Sequence, residues 1–155
     1  MRARILAVMV VASMIARPMA MNAQATSSYN DNALRVESHF GDARLVRGEQ
    51  GILVGKLGNF RVIDLASIVK SSPNAVVEAK KFQKDYLPGA MFAGLGLAAF
   101  GAYLGVSRIP DVNGLITYGL WMGGLTLIVY GGGRMHNAYN ALSRSIWWYN
   151  HDLAK

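Results

Sequence analysis

Leu87–Ser107 runs LPGAMFAGLGLAAFGAYLGVS, and Gly114–Gly133 runs GLITYGLWMGGLTLIVYGGG. Neither stretch holds a charge, and each reaches the roughly 20 residues needed to cross a hydrocarbon core about 30 Å thick. Between them lies only Arg108-Ile109-Pro110-Asp111-Val112-Asn113, rich in turn-favouring residues. So short a connection makes the two helices antiparallel neighbours. The expected fold is a mainly α membrane protein: an antiparallel transmembrane helical hairpin over 87–133, with amphipathic flanking helices and a small N-terminal β module.

Within the first run, small residues recur at Ala90, Gly94, Ala98, Gly101 and Gly105, and the second offers Gly119, Gly123 and Thr126 at similar steps. Lipid tails are as apolar as leucine, so helices associate in a bilayer by close packing, which small residues permit. These eight are the expected helix-packing residues, serving hairpin closure, oligomerisation or both. No Asp, Glu, Lys, Arg or His lies inside either run, which argues against a proton relay, an ion-coupled transporter or a charged pore lining.

Outward from the hairpin, residues 64–86 carry two helix-start signals, Asp64 and Ser72-Pro73. Val76, Val77, Ala79, Phe82 and Tyr86 form an apolar stripe, and Lys80, Lys81 and Lys84 occupy the rest of the helix. Two placements are open: the basic helix lies on anionic headgroups, or it packs under a small sheet with its lysines in water. After the second run, Gly131-Gly132-Gly133 is expected to end the span and let the chain bend. The segment 134–155 then resumes helical spacing through Met135, Tyr139, Leu142, Ile146 and Tyr149. Its Trp147-Trp148-Tyr149 cluster suits the water–lipid boundary, so this helix either lies along the membrane with Lys80, Lys81 and Lys84 also at the interface, or folds back to give the β module a core.

That β module spans 33–63, where short alternating runs such as Leu34/Val36 and Ile52–Val54 are cut by Gly41-Asp42, Gly48 and Gly58-Asn59. Each run offers about two inward apolar positions, too few for a free-standing sheet. Ahead of it, Thr26–Asn32 is polar and is expected to carry no fixed structure. Met1–Arg4 is basic, Ile5–Ala16 is apolar and Ala23-Gln24-Ala25 is a small-residue cleavage site, the layout of a secretory signal peptide over 1–25. As a helix, Ile5–Ala16 rises about 18 Å, short of a full span. An uncleaved anchor is the alternative, with Arg17-Pro18 interrupting the stretch before the cleavage site.

The 155 residues are 52% hydrophobic and only 16% charged, against roughly 25% charged in soluble domains. A signal segment and two spans leave too little chain for a large catalytic domain. There is no cysteine, hence no disulfide, thiolate site or lipidation cysteine. The net charge of +7 includes Arg2, Arg4 and Arg17; without them 13 basic residues face 9 acidic ones, which does not call for nucleic acid. His39, His136 and His151 show no metal-ligand spacing. Gly51–Gly58 lacks the ending of a P-loop, and the serines have no nucleophile context. No catalytic residue, cofactor or metal site is assigned, and the chain is not expected to be an enzyme.

In order, Ile52–Gly58, Asp64–Lys70, the start Lys70-Ser71-Ser72-Pro73-Asn74-Ala75, the glycine-rich hairpin and the Tyr149-Asn150 ending resemble small envelope proteins of Bacteroidota-like bacteria. In that group a K-S-N-P-x-A helix start, two glycine-rich spans and a Y-N ending recur. The resemblance covers about 52–153 and implies an envelope location without implying an activity. A more distant similarity is to glycine-zipper two-span proteins of bacterial outer envelopes.

The expected function is that of an exported bacterial envelope membrane protein, a structural or protein-interaction subunit anchored by its hairpin. The alternative is an oligomeric channel or membrane-perturbing subunit assembled through the small-residue stripe. Expected partners are the lipid bilayer and either further copies of the chain or other membrane proteins. Export places both terminal segments on the periplasmic side. The charge pattern runs the other way, since Lys80, Lys81, Lys84, Arg134 and Arg144 outnumber Arg108 in the loop.

Overall fold

The computed structural model describes residues 27–39, 42–58 and 63–155. The expected signal segment lies outside the described residues, as do Gly41, Asn59, Phe60 and Val62. The elements are helix α1 (Ser27–Asn32), strands β1 (Leu34–His39), β2 (Asp42–Arg47) and β3 (Ile52–Leu57), the short helix α2 (Leu65–Ile68), and two long helices, α3 (Pro73–Val106) and α4 (Gly114–Leu153).

The three strands form an antiparallel meander in the order β1-β2-β3. Leu34 pairs with Arg47 and Val36 with Leu45. Across β2 and β3, Leu45 pairs with Gly55 and Val46 with Leu53, which leaves Val54 as a bulge. Thr26–Asn32 was expected to be unstructured, yet Ser27–Asn32 forms α1, and Tyr29 within it is buried. The reason is the tight β2–β3 turn. Gly48 adopts φ +70 and donates its N–H to Ala33 O at 2.9 Å, while Glu49 N–H reaches Asn30 O at 2.9 Å. A Cβ on Gly48 would stand 2.6 Å from Asp31 O, so only glycine lets the turn close on α1.

Asp64 caps α2 by accepting from Ser67 N–H, and Gln83 of α3 donates to Asp64 Oδ1 at 3.1 Å. Ser72 caps α3, with Pro73 in its first turn. The polar inner ends of α3 and α4 are roofed by the sheet. Leu34, Leu45 and Leu57 from the strands meet Leu65 and Val69 near α2, Phe82 and Tyr86 from α3, and Leu142, Ile146 and Tyr149 from α4. Each such fully buried side chain contributes roughly 1.5–3 kcal/mol. The sheet, too small to stand alone, therefore borrows its core from the chain's own helices.

Two expected boundaries are absent. No break separates the 64–86 helices from the first apolar run, because α3 continues through Pro88, a position that cannot donate a helix hydrogen bond. Nor does the chain bend at Gly131-Gly132-Gly133, since α4 runs unbroken from Gly114 to Leu153. Three helical glycines cost about 1 kcal/mol each relative to alanine. Helix pairing accounts for Gly131 alone: a Cβ there would collide with Ala93 N and lie 2.7 Å from Gly89 O, whereas Gly132 and Gly133 face open space.

Candidate membrane-spanning hairpin

Buried residues on α3 recur at Ala75, Ala79, Phe82, Tyr86, Gly89 and Gly96, and those on α4 at Gly124, Gly131, Ala138, Leu142, Ser145 and Tyr149. With Ala93, Ile128 and Met135 filling the gaps, both sets step by alternating fours and threes. This is a heptad seam, the pattern of a left-handed helix pair, and it runs from the sheet-covered end into the uncharged runs as far as Gly96 and Gly124. Where the seam enters the apolar half, one of its positions is glycine: Gly89 and Gly96 on α3, Gly124 and Gly131 on α4. A Cβ on Gly96 would stand 2.7 Å from both Gly124 O and Ile128 N, one on Gly124 3.0 Å from Phe100 N, and one on Gly89 2.9 Å from Met135 N. The two backbones touch, as the close-packing account of helix association in lipid requires.

Around this dry seam the outer surface is apolar. Both helices are long and apolar enough to cross a membrane, and the most apolar 18-residue window of each is only 11% buried within the molecule. Leu95, Leu97, Leu104, Leu115, Ile116 and Val129 are all exposed. Tyr118 packs on Trp121, and Tyr130 meets Phe92 edge to face.

Charge returns abruptly where the uncharged runs end. Arg134 donates to Asp85 Oδ1 from Nε at 3.2 Å and from a terminal nitrogen at 2.9 Å, and its guanidinium lies 5.8 Å from the centre of the Tyr130 ring. Farther along the same flank, Glu78 accepts from Lys81 and from Arg144. Desolvation pushes the Glu78 carboxyl up, but its Lys81 and Arg144 partners outweigh that and hold it below the usual range. Ser145 Oγ donates to Ala75 O at 2.8 Å across the seam. At the tip, Ser72 Oγ donates to Asp152 Oδ2 at 2.6 Å. The other flank of the seam carries the sheet, where Asn150 pairs with Leu34 through both atoms of its amide at 2.8 Å each.

The expected packing residues take a different place. Gly101, Gly105, Gly119 and Gly123 each have open space where a Cβ would stand. Ala98 and Thr126 are exposed, and Thr126 Oγ1 donates back to Met122 O of its own helix; Ala90 and Gly94 are half-buried. Hairpin closure therefore does not use Gly101, Gly105, Gly119 or Gly123, which lie on the outer faces. The four glycines that close the hairpin, Gly89, Gly96, Gly124 and Gly131, were missed by sequence reading, although their sevenfold spacing in each helix was a usable signal.

Of the expected interface residues, Lys80, Lys81 and Lys84 lie exposed on α3 just before the apolar run. Tyr149 is instead in the buried core, and Trp148 packs against that core. Because α4 is unbroken, Trp147 lies 13 residues beyond Arg134, about 20 Å along the helix away from the uncharged run. The aromatic cluster is thus part of the sheet-covered end; Trp147 stacks on His151 with ring centres 5.1 Å apart. The fold-back reading of this helix is the one the structure realises, by straight continuation rather than a turn.

Comparison with protein-family models, with curated proteins and with solved structures finds no match for this chain.

Proposed function

We propose that the chain is an exported bacterial envelope membrane protein in which the hairpin holds a rigid head at the membrane surface, acting as a structural or protein-interaction subunit. The observation that carries this reading is the 11% burial of both apolar windows. A core helix of a soluble protein buries such a window; here about two helix lengths of leucine, valine and aromatic surface face outward, far beyond the few hundred Å² that soluble monomers expose. Among the described residues no three His, Asp or Glu side chains converge on a metal-sized site. Because α3 and α4 enter the head without a linker, its orientation to the bilayer is fixed by the hairpin.

Export by the N-terminal segment sets the head and both ends on the periplasmic side, leaving only the 108–113 loop in the cytoplasm. Alkaline phosphatase fused after Lys155 tests this: an active fusion in a carbonate-resistant membrane fraction is expected. An inactive fusion, with fluorescence from a cytoplasmic reporter at the same site, would place the head inside the cell.

One observation favours the second reading, an oligomeric channel or membrane-perturbing subunit. The outward glycines Gly101, Gly105, Gly119 and Gly123 have no partner within the chain at their Cβ positions, and would admit another helix closely. Liposomes carrying the purified protein should stay ion-tight under the first reading and leak under the second.

A further inference from the structure

The basic band beside the apolar run is not uniform. Arg134 is paired with Asp85, and Lys81 and Arg144 share Glu78. Lys80 and Lys84 are exposed and have no ion-pair partner among the described residues. They are also aligned with the apolar surface: Lys80, Lys84, Leu87 and Met91 follow one another by four, three and four residues on α3, hence down one helix face. Leu87 and Met91 on that face are exposed at 36% and 52%.

Resting on the membrane reading above, we propose that this face of α3 is a docking site for an anionic phospholipid, with Lys84 and Lys80 holding the headgroup phosphate and Leu87 and Met91 contacting the acyl chain. The vertical spacing fits. Lys84 lies three residues, about 4.5 Å, outside Leu87, and Lys80 about 10.5 Å. The headgroup layer is roughly 5–7 Å deep on each side of the core, and the flexible lysine stem covers the remaining difference. Charge complementarity selects the occupant. Asp85 and Glu78, the acidic groups nearest the boundary on this helix, are already neutralised by Arg134, Lys81 and Arg144. The uncompensated charge at headgroup depth is therefore positive and sits above an apolar stripe. A zwitterionic lipid gains little there.

The test uses the full chain in phosphatidylcholine vesicles containing trace spin-labelled phosphatidylglycerol or spin-labelled phosphatidylcholine, reading the fraction of each lipid immobilised on the protein. A preference for phosphatidylglycerol is expected, falling about fivefold at low salt for each of Lys80→Gln and Lys84→Gln and shrinking in high salt. Lys81→Gln, whose charge is committed to Glu78, should keep the preference. Equal immobilisation of the two lipids by the wild type would overturn the proposal, as would a loss in Lys81→Gln as large as in Lys84→Gln. Vesicle flotation run beforehand separates the two levels: protein that fails to float overturns the membrane reading together with this site, whereas protein that floats without lipid preference overturns the site alone.

Discussion

Asn150, three residues before the end of α4, and Leu34, the first residue of β1, stand 116 positions apart and exchange two hydrogen bonds of 2.8 Å, Leu34 N–H to Asn150 Oδ1 and Asn150 Nδ2–H to Leu34 O. The side-chain amide thus imitates a neighbouring strand. Both partners are buried, so neither backbone group has water as a substitute.

Replacing Asn150 with Ala should therefore destabilise the head by about 2–3 kcal/mol, since two buried backbone groups lose their partners at once. Asn150→Asp should do no better, because a carboxylate can accept from Leu34 N–H but offers nothing to Leu34 O. Amide hydrogen exchange checks it: protection should fall in β1 and its pairing with β2 while the 87–106 amides stay slow. Unchanged β1 exchange in Asn150→Ala would refute the clamp.

The hairpin glycines separate into two functional sets. Gly96→Leu and Gly131→Leu should splay α3 from α4, because each new side chain begins inside the opposing backbone. Gly101→Leu should leave the hairpin intact, as a Cβ there meets nothing within 4 Å. Disulfide trapping of cysteines introduced across the seam would report the difference as lost versus retained intramolecular crosslinks. If a second copy docks on the outward face, Gly101→Leu should lower only intermolecular crosslinking.

This distinction was not legible within the apolar runs alone, for a physical reason. Inside an apolar run every face suits lipid, so polarity does not reveal which side is dry, and Gly94/Ala98/Gly101/Gly105 obeys helical spacing as well as Gly89/Gly96 does. The register becomes unique only when the seam is followed outward to Phe82 and Ala75, where an apolar residue among Lys80, Lys81 and Lys84 must be buried. What could be read directly was whatever depends on local chemistry: the uncharged lengths, the short connection, and caps at Asp64 and Ser72. Continuity of α4 through Gly131-Gly132-Gly133 was hidden because glycine's local cost was visible while the backbone contact that requires glycine at 131 lay on the other helix. The Asn150–Leu34 pair has no local signature at all.

Asp85 and Arg134 close the seam where the uncharged runs stop, each a little over a quarter exposed at its side chain. Asp85→Asn and Arg134→Gln should each destabilise by about 1–2 kcal/mol, and the double variant by less than their sum, giving a coupling of about 1 kcal/mol. Thermal unfolding in detergent of the four proteins checks this. Strict additivity would mean the pair contributes nothing beyond proximity.

Acid should loosen the tip of the head before the hairpin. The Ser72 hydroxyl, and after it Lys155, hold the Asp152 carboxyl below its ordinary range. Gln83, followed by the Ser67 backbone N–H, does the same for Asp64. A carboxyl whose folded pKa lies below its unfolded value of about 3.9 contributes its full stabilisation above that value and loses it as pH falls through the lower, folded one. The contribution is therefore intact at neutral pH and disappears below about pH 4. As it goes, Asp152 ceases to be an anion accepting from the Ser72 cap, and the start of α3 loses its link to the end of α4. Hydrogen exchange in the first turn of α3 should rise on acidification from pH 5 to pH 3 more than it does at Gly89–Gly96, after correction for the intrinsic pH dependence of exchange. Asp152→Asn removes the titrating group, so it should show weaker protection of that turn already at pH 5 and a smaller further loss at pH 3. An acid response in Asp152→Asn equal to that of the wild type would assign the loosening to a different carboxylate.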